Sequence, residues 1–264
     1  MLKWIMGMCA AVMIAAAHAA IKEEPVTYSD GTTTMKGFVV YDDGSTAKRP
    51  GLVVVPEWWG ITPNTHREAR DLAKQGYTAF IADMFGDAKS TDDAKEAGAL
   101  SGSVMKNPAV MEARFEAARK TLAGQPSVDP ARIGAVGFCF GGAVVLNMAR
   151  VDHDLAGVAA FHPSGLDPVV PRATPGSIKA KLLVMNGADD PFNKADAIER
   201  FKQEMSAAHV DMRYISYPGA VHAFTNPDAT AAGKKFNLPL AYNERADKES
   251  KAEASKFLAS VLKK

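Results

Sequence analysis

The chain has 264 residues, of which 47% are hydrophobic and 23% are charged, an ordinary composition for a globular protein. This length allows one large or two small domains, and the composition excludes a disordered or collagen-like chain. The 31 lysines and arginines nearly balance the 30 acidic residues, so the basic excess typical of nucleic-acid-binding proteins is missing. Two cysteines cannot build a disulfide scaffold or a cysteine-only zinc site.

The N-terminal segment has the pattern of a secretory signal peptide. Lys3 precedes an apolar run over residues 4–17, and Ala17-His18-Ala19 supplies the small residues that a signal peptidase requires. The run is shorter than the ~20 residues of a comfortable membrane span, which favours a cleaved signal over an uncleaved anchor, the alternative interpretation. We therefore predict a signal peptide over residues 1–20.

Cleavage near Ala19 or Ala20 would change both the charge and the cysteine content of the chain. It would remove Lys3 and Cys9, leaving a net charge of zero and Cys139 as the remaining cysteine. We expect the mature protein to be periplasmic, with no stable membrane insertion, and to form a single domain over residues 21–264. A lone thiol in such a compartment is either buried and inert or chemically used.

After this segment, predicted strands and helices alternate along the chain. The first element is a β-hairpin over residues 26–41, where Asp30-Gly31 suits a type I′ turn. Further strands are predicted over residues 52–55, 77–82, 133–136, 158–161, 182–185 and 212–217. Helices are predicted from Thr62-Pro63, over residues 109–123, from Gly141, and over residues 195–208 and 248–262, with a loop over residues 163–177. Repeated strand–helix units predict an α/β fold, a mostly parallel sheet with helices on both faces.

The sharpest local motif is Gly137-Phe138-Cys139-Phe140-Gly141-Gly142, between a predicted strand and a predicted helix. This is the nucleophile-elbow pattern, with cysteine in the usual place of serine. Glycines on either side relieve crowding at the sharp turn, and the helix N-terminus favours a thiolate. The backbone N–H of Phe140 would be available to bind an oxyanion. The alternative interpretation is a buried core cysteine beside packing glycines.

A nucleophilic thiol needs a base, and the base needs a carboxylate that orients it. In the elbow fold these groups follow the nucleophile in the order acid, then base, each after a later strand. Asp189 follows the strand over residues 182–185, and His222 follows the strand over residues 212–217. We therefore predict Asp189 as the acid and His222 as the base. His162, at the end of another strand, is the second choice for the base, and Asp190 is interpreted as a turn or cap residue.

The sequence lacks the common motifs of metal and nucleotide sites. It contains no HExxH, no paired cysteines, no GxGxxG after the first strand and no GxxxxGK[ST]. We expect neither a metal nor a cofactor.

Several motifs together resemble the dienelactone hydrolase family. They are Gly137 to Gly142 as quoted above, Pro56-Glu57-Trp58-Trp59-Gly60, Gly76-Tyr77 with Ala82-Asp83, Gly187-Ala188-Asp189 and His222-Ala223-Phe224. The resemblance implies an α/β-hydrolase fold and an enzyme that opens lactones or cleaves esters with a Cys-His-Asp triad. It implies that Cys139 is the nucleophile, His222 the base and Asp189 the orienting carboxylate. It also implies that Glu57 faces the nucleophile and modulates it, and that Trp58 provides the second oxyanion N–H.

The sequence departs from the familiar members of this family in its arginines. Members that act on dienelactone use arginines to hold the substrate's carboxylate, one of them soon after the histidine. Here Thr225 and Asn226 follow His222, and the next arginine is Arg245. Arg114 lies on a predicted helix before the elbow, with no indication that it reaches the pocket. This departure argues against dienelactone as the natural substrate.

The sequence thus predicts a hydrolase of carboxylic esters or lactones that works through a thioester acyl-enzyme. The expected partner is a small-molecule substrate, with no nucleic acid, and the expected state is a monomer or a small homo-oligomer. Two alternatives remain: a binding protein that keeps the fold without turnover, and a thiol-redox protein. The redox alternative needs a resolving thiol, which the mature chain lacks.

Overall fold

The structure is a computed structural model that describes residues 20–151 and 154–263. The predicted signal peptide, apart from Ala20, lies outside the described residues. The strands are β1 (Ile21–Ser29), β2 (Thr34–Asp42), β3 (Arg49–Val55), β4 (Thr78–Ile81), β5 (Val128–Phe138), β6 (Gly157–Phe161), β7 (Lys181–Gly187) and β8 (Met212–Tyr217). The helices are α1 (Pro63–Lys74), α2 (Ala94–Met105), α3 (Pro108–Ala123), α4 (Phe140–Arg150), α5 (Ala195–Ala207), α6 (Ala229–Phe236) and α7 (Glu244–Leu262).

Within the described residues, the strands form one sheet in the order β1-β2-β4-β3-β5-β6-β7-β8. Strands β3 to β8 run parallel to one another, and the hairpin of β1 and β2 joins the edge of the sheet antiparallel to β4. The predicted α/β-hydrolase fold is confirmed. In parallel sheets the carboxyl ends of all strands meet at one edge, which is where ligands bind in open α/β folds.

Two hydrophobic cores lie on opposite faces of the sheet. Strand β3 is buried along its whole length, and it serves both cores because its side chains alternate between the two faces. Val53 and Val55 belong to one core with α3, α4 and α5, whereas Leu52 and Val54 belong to the other with α1 and α7. The sheet is thereby covered on both sides, as the continuous apolar strands predicted.

The hairpin turn differs from its prediction. The register pairs Ser29 with Thr34, so the loop has four residues and is not a two-residue type I′ turn. The Asp30 side chain accepts hydrogen bonds from the backbone N–H groups of Thr32 and Thr33, at 2.8 and 2.7 Å. This Asx-type bonding closes a longer loop, and it explains why the Asp-Gly pair alone gave the wrong turn.

Two helices, α2 and α6, were not predicted from the sequence. Helix α2 contains Gly98 and Gly102, which weaken helix propensity, and α6 has only eight residues. Their positions matter because both contribute to cavities at the carboxyl edge of the sheet. No helix of the described residues is long and apolar enough to cross a membrane.

The turn between β5 and α4 is formed by very close backbone approaches. A Cβ atom added to Gly137 would overlap the carbonyl oxygen of Gly141, and one added to Gly141 would overlap the carbonyl oxygen of Val55. Both contacts are with backbone atoms, which cannot rotate away as a flexible side chain can. Glycine is therefore required sterically at both positions, as the elbow motif predicted.

We expect Gly141→Ala to lower the free energy of unfolding by about 2 kcal/mol or more, because the new methyl group overlaps backbone that cannot move freely. The matched control is Gly124→Ala, where the added Cβ would lie 3.6 Å from the Lys120 carbonyl oxygen, an ordinary contact. This control should change the free energy of unfolding by less than about 1 kcal/mol. Urea denaturation of both variants measures the difference, and equal stabilities would contradict the steric argument.

Candidate active site

Cys139 lies at the junction of β5 and α4 in a conformation that side-chain-bearing residues rarely adopt, with φ 54° and ψ −117°. Its N–H donates to the carbonyl oxygen of Phe161 at 3.0 Å and to Nδ1 of His162 at 3.2 Å. Its carbonyl oxygen accepts from the N–H groups of Ala143 and Ser164. These bonds hold the strained backbone in place.

The structure brings Cys139 and His222 together. Nε2 of His222 lies 3.0 Å from Sγ of Cys139, although 83 positions separate the two residues in the sequence. The other ring nitrogen, Nδ1, lies 2.8 Å from Oδ2 of Asp190. All three residues are buried, with 6%, 2% and 4% of their surfaces exposed, respectively. The result is a continuous chain from carboxylate to imidazole to sulfur.

The prediction of Asp189 as the orienting carboxylate is wrong, because its neighbour Asp190 contacts His222. The chain turns sharply after β7, with the Asp190 N–H donating to the carbonyl oxygen of Gly187 at 3.3 Å. The Asp189 N–H donates to Ala220 in the histidine loop, while its side chain is exposed to solvent. Asp190 is one residue further around the turn, and its side chain faces inward.

Asp190 also has the local role that its sequence context predicted. Its second oxygen, Oδ1, accepts a hydrogen bond from the N–H of Phe192 at 2.9 Å. The ring of Phe192 then packs edge-on against the imidazole of His222, with 4.8 Å between the ring centroids. Phe192 was not singled out in the sequence, although an apolar residue right after Asp-Pro at a strand exit is an available signal. One carboxylate thus contacts both His222 and the backbone of the residue whose ring packs against His222.

The electrostatic environment favours a protonated imidazole at His222. Burial by itself lowers the pKa of His222, but the charge of Cys139 and the hydrogen bond to Asp190 outweigh burial and raise the pKa to about 10. This direction is consistent with a thiolate–imidazolium pair, in which each buried charge has a partner.

His162, the second choice for the base, contacts the backbone of Cys139 instead of its thiol. Nδ1 accepts from the N–H of Cys139, so the proton resides on Nε2, which lies 2.8 Å from Oγ1 of Thr225. Burial and the neighbouring charge of His222 hold the pKa of His162 well below its usual range. A neutral ring with both nitrogens bonded supports the elbow and does not reach the sulfur.

Glu57 follows β3 and is buried beside the loop that contains Thr225 and Asn226. Its Oε2 accepts a hydrogen bond from the side-chain amide of Asn226 at 2.6 Å. Burial raises the pKa of Glu57 to about 7, opposed by this hydrogen bond and by the charge of His222. Its carboxylate therefore ionises near neutral pH within the field of the histidine.

The two residues predicted to carry the oxyanion donors lie at the start of α4 and in the turn after β3. Phe140 is the first residue of α4, and Trp58 lies in the turn after β3. The Gly141 N–H donates to the Pro56 carbonyl oxygen at 3.1 Å, which ties this turn to the start of α4. Among the described residues, neither the Phe140 N–H nor the Trp58 N–H has a protein acceptor.

A cavity of about 290 Å³ opens above the sulfur. Its lining includes Cys139, His222, Trp58, Phe140 and residues of α2, among them Gly102. Within the described parts of the chain, His222 is the sole basic residue in that lining, and no acidic residue contributes to it. The rest of the lining is mostly apolar.

Arg114, whose position relative to the pocket the sequence did not predict, does not line this cavity. Its guanidinium donates to the Met84 carbonyl oxygen at 2.7 Å and pairs with Asp30 at 3.4 Å, which fastens α3 to the hairpin loop. Among the described residues, no group of three or more histidines, cysteines and carboxylates is arranged to hold a metal ion.

A central parallel sheet with a cysteine on the elbow after β5 defines an α/β-hydrolase. The sequence model of the dienelactone hydrolase family matches residues 35–262. The chain belongs to this family, and it is a hydrolase of carboxylic esters or lactones.

Individual relatives support the same assignment. The chain is 27% identical over 203 residues to the protein usf of Aquifex pyrophilus, covering 73% of this chain and 87% of that protein. It is 31% identical over 185 residues to a Methylorubrum extorquens protein assigned as a carboxymethylenebutenolidase, covering 66% of this chain and 63% of that one. A solved structure of a dienelactone hydrolase-like promiscuous phosphotriesterase from metagenomic libraries superposes with a TM-score of 0.84 at 32% identity, covering 92% of this chain and 99% of that one.

The two adjacent aspartates give a matched pair for testing the geometry. We expect Asp190→Asn to lower kcat/KM for an ester about a thousandfold, because an amide cannot hold the reactive tautomer of His222. Asp189→Asn should leave kcat/KM unchanged within experimental error, since that side chain is exposed. Steady-state assays with p-nitrophenyl acetate measure both. A larger loss of kcat/KM in Asp189→Asn than in Asp190→Asn would contradict the assignment of Asp190.

Proposed function

We propose that the protein cleaves uncharged carboxylic esters or lactones through a cysteine nucleophile and a thioester acyl-enzyme. Cys139 is the nucleophile, His222 is the acid–base residue, and Asp190 orients His222. The observation that carries this proposal is the hydrogen-bonded chain from Asp190 through His222 to the Cys139 sulfur, which ends at the floor of a cavity.

The reaction starts with attack of the Cys139 thiolate on the ester carbonyl carbon. The carbonyl π electrons move to oxygen, and the N–H groups of Phe140 and Trp58 bind the resulting oxyanion; one such donor typically contributes about a hundred- to a thousandfold in rate. When the carbonyl re-forms, the C–O bond to the alcohol breaks and the imidazolium of His222 gives the alkoxide its proton. A lactone would keep this alcohol attached to the acyl group.

The second half of the reaction hydrolyses the thioester. His222, now neutral, takes a proton from water as the water oxygen attacks the acyl carbon. Collapse of this second tetrahedral intermediate breaks the C–S bond, which releases the acid and restores the Cys139 thiolate opposite the imidazolium. The hydrogen bond to Asp190 fixes the imidazole orientation in both halves.

The cavity lining, which has no cationic group besides His222 among the described residues, favours a neutral substrate over the carboxylate-bearing dienelactone. In the described part of the chain, no arginine or lysine contributes to the cavity lining, and Arg114 is engaged with the hairpin loop. A carboxylate placed there would be desolvated without an opposite charge other than His222, which is unfavourable. Neutral esters and lactones suffer no such penalty.

We also propose that the protein is exported to the periplasm. The support is the sequence of residues 1–20, a basic residue followed by an apolar run and small residues at a cleavage site.

A cysteine variant separates catalysis from the alternatives. We expect Cys139→Ala to lose p-nitrophenyl acetate turnover by at least about a thousandfold, because no acyl-enzyme can form. Intact-mass spectrometry of wild-type protein quenched in acid during turnover should show one added acetyl group, which Cys139→Ala lacks. Wild-type protein without turnover would favour a binding protein. Turnover that persists in Cys139→Ala would overturn the mechanism.

The pH dependence tests the proposed role of Glu57 in modulating the nucleophile. Its carboxylate forms as the pH rises through about 7 and adds a negative charge beside His222, whose pKa of about 10 keeps the imidazolium formed at that pH. We expect the rate of alkylation of Cys139 by iodoacetamide to change in a step through this pH in the wild type, and Glu57→Gln to lack the step.

The control for this experiment is Glu68→Gln, which removes another buried glutamate, one that pairs with Lys251 at 2.9 Å. This variant should keep the step but move it to lower pH, because the charge of Glu68 contributes to raising the pKa of Glu57. Identical pH profiles for wild type and Glu57→Gln would contradict the role of Glu57.

A further inference from the structure

Helix α2 forms one wall of the cavity above Cys139. Gly98, Ser101, Gly102 and Met105 all line that cavity, and their spacing of three and four residues places them on one face of the helix. Gly98 is exposed and lies toward solvent, whereas Gly102 is half-buried.

Packing does not explain the glycine at position 102. A Cβ atom added there would meet no atom within 4 Å, and one added to Gly98 would only touch the Trp58 ring at 3.8 Å. At Gly141, by contrast, an added Cβ would overlap backbone. Glycine destabilises the interior of a helix relative to alanine. Glycine at position 102 therefore lowers the stability of the helix without a packing reason. What it provides is free space inside the cavity.

The space beside Gly102 is bounded by apolar groups. The other lining residues include Trp58, Met105, Phe192, Leu238 and Leu240. Phe192 packs against His222, and the backbone of Leu240 forms a bridge to that of His222, so this apolar wall is attached to the base itself. An apolar substituent held there would gain from leaving water while its carbonyl group stays at the sulfur.

We propose that Gly102 determines the size of the apolar substituent that the enzyme accepts on its ester or lactone substrate. A larger side chain at this position would project from α2 into the space that the substituent occupies, while the sulfur and the oxyanion donors stay unchanged. This inference rests on the proposed ester hydrolysis for its catalytic readout, but the shape of the cavity can also be tested without turnover.

The test compares Gly102→Leu with Ser103→Leu, an exposed position on the same helix that does not line the cavity. Two substrate series are used: p-nitrophenyl esters from acetate to hexanoate, and acetates of phenol and naphthol. We expect Gly102→Leu to lower kcat/KM about tenfold or more for the larger members of at least one series. The kcat/KM for phenyl acetate, the acetate of the smallest alcohol, should be retained. The affected series identifies the acyl or the alcohol side.

The second readout is alkylation of Cys139, which needs a reactive thiol but no turnover. We expect Gly102→Leu to slow modification by N-phenyl iodoacetamide much more than modification by iodoacetamide, and Ser103→Leu to change neither rate. If p-nitrophenyl acetate is not hydrolysed but this size discrimination appears, the proposed function is wrong. The conclusion that Gly102 limits the size of the group entering the cavity is then still supported.

Two results would overturn the inference. One is equal loss across both substrate series together with equal slowing of both alkylating agents, which would indicate damage to the site. The other is no change in kcat/KM for either substrate series and no change in the rate of either alkylation. Thermal unfolding separates misfolding from a local effect, because replacing a helical glycine with leucine should keep or raise the Tm.

Discussion

The backbone of Cys139 is the constraint on which the site depends. A positive φ is unfavourable for a residue with a side chain, and it persists only where the surroundings over-determine it. Here the surroundings are the two neighbouring strands: β6 ends at the carbonyl that accepts the Cys139 N–H, and the turn after β3 accepts the Gly141 N–H. Cys139 is therefore positioned by the centre of the sheet, the least deformable part of the molecule.

Electrostatics then follows from burial. Cys139, His222 and Asp190 are almost completely buried, so each charge among them needs a partner within hydrogen-bond distance. A single imidazole satisfies both neighbours, with one nitrogen toward the carboxylate and the other toward the sulfur. His162 is buried next to this group but remains neutral, which spares the site a second positive charge. Glu57 contributes a charge that depends on pH near neutrality.

The elements that the sequence predicted well are those with strong local signals. Continuous apolar runs marked the central strands, the Thr62-Pro63 pair marked the start of α1, and the glycines around Cys139 marked the elbow. Helix α2 was missed because Gly98 and Gly102 break its periodicity, and its apolar face is directed partly at a cavity instead of a core. The hairpin turn was wrong because Asp30 side-chain bonds, and not backbone preference alone, set the loop length.

The sequence by itself determined the family, the parallel α/β architecture and the elbow with its cysteine, because these depend on short-range sterics and on residues close in the chain. Only the tertiary structure decided between Asp189 and Asp190. Adjacent residues in a turn point in different directions, and the partner that distinguishes them, His222, lies 32 positions beyond Asp190 on another loop. The cavity above the sulfur is equally a tertiary property, because its lining comes from α2, α4 and the loops after β3, β6, β7, β8 and α6, which meet only when the sheet is formed.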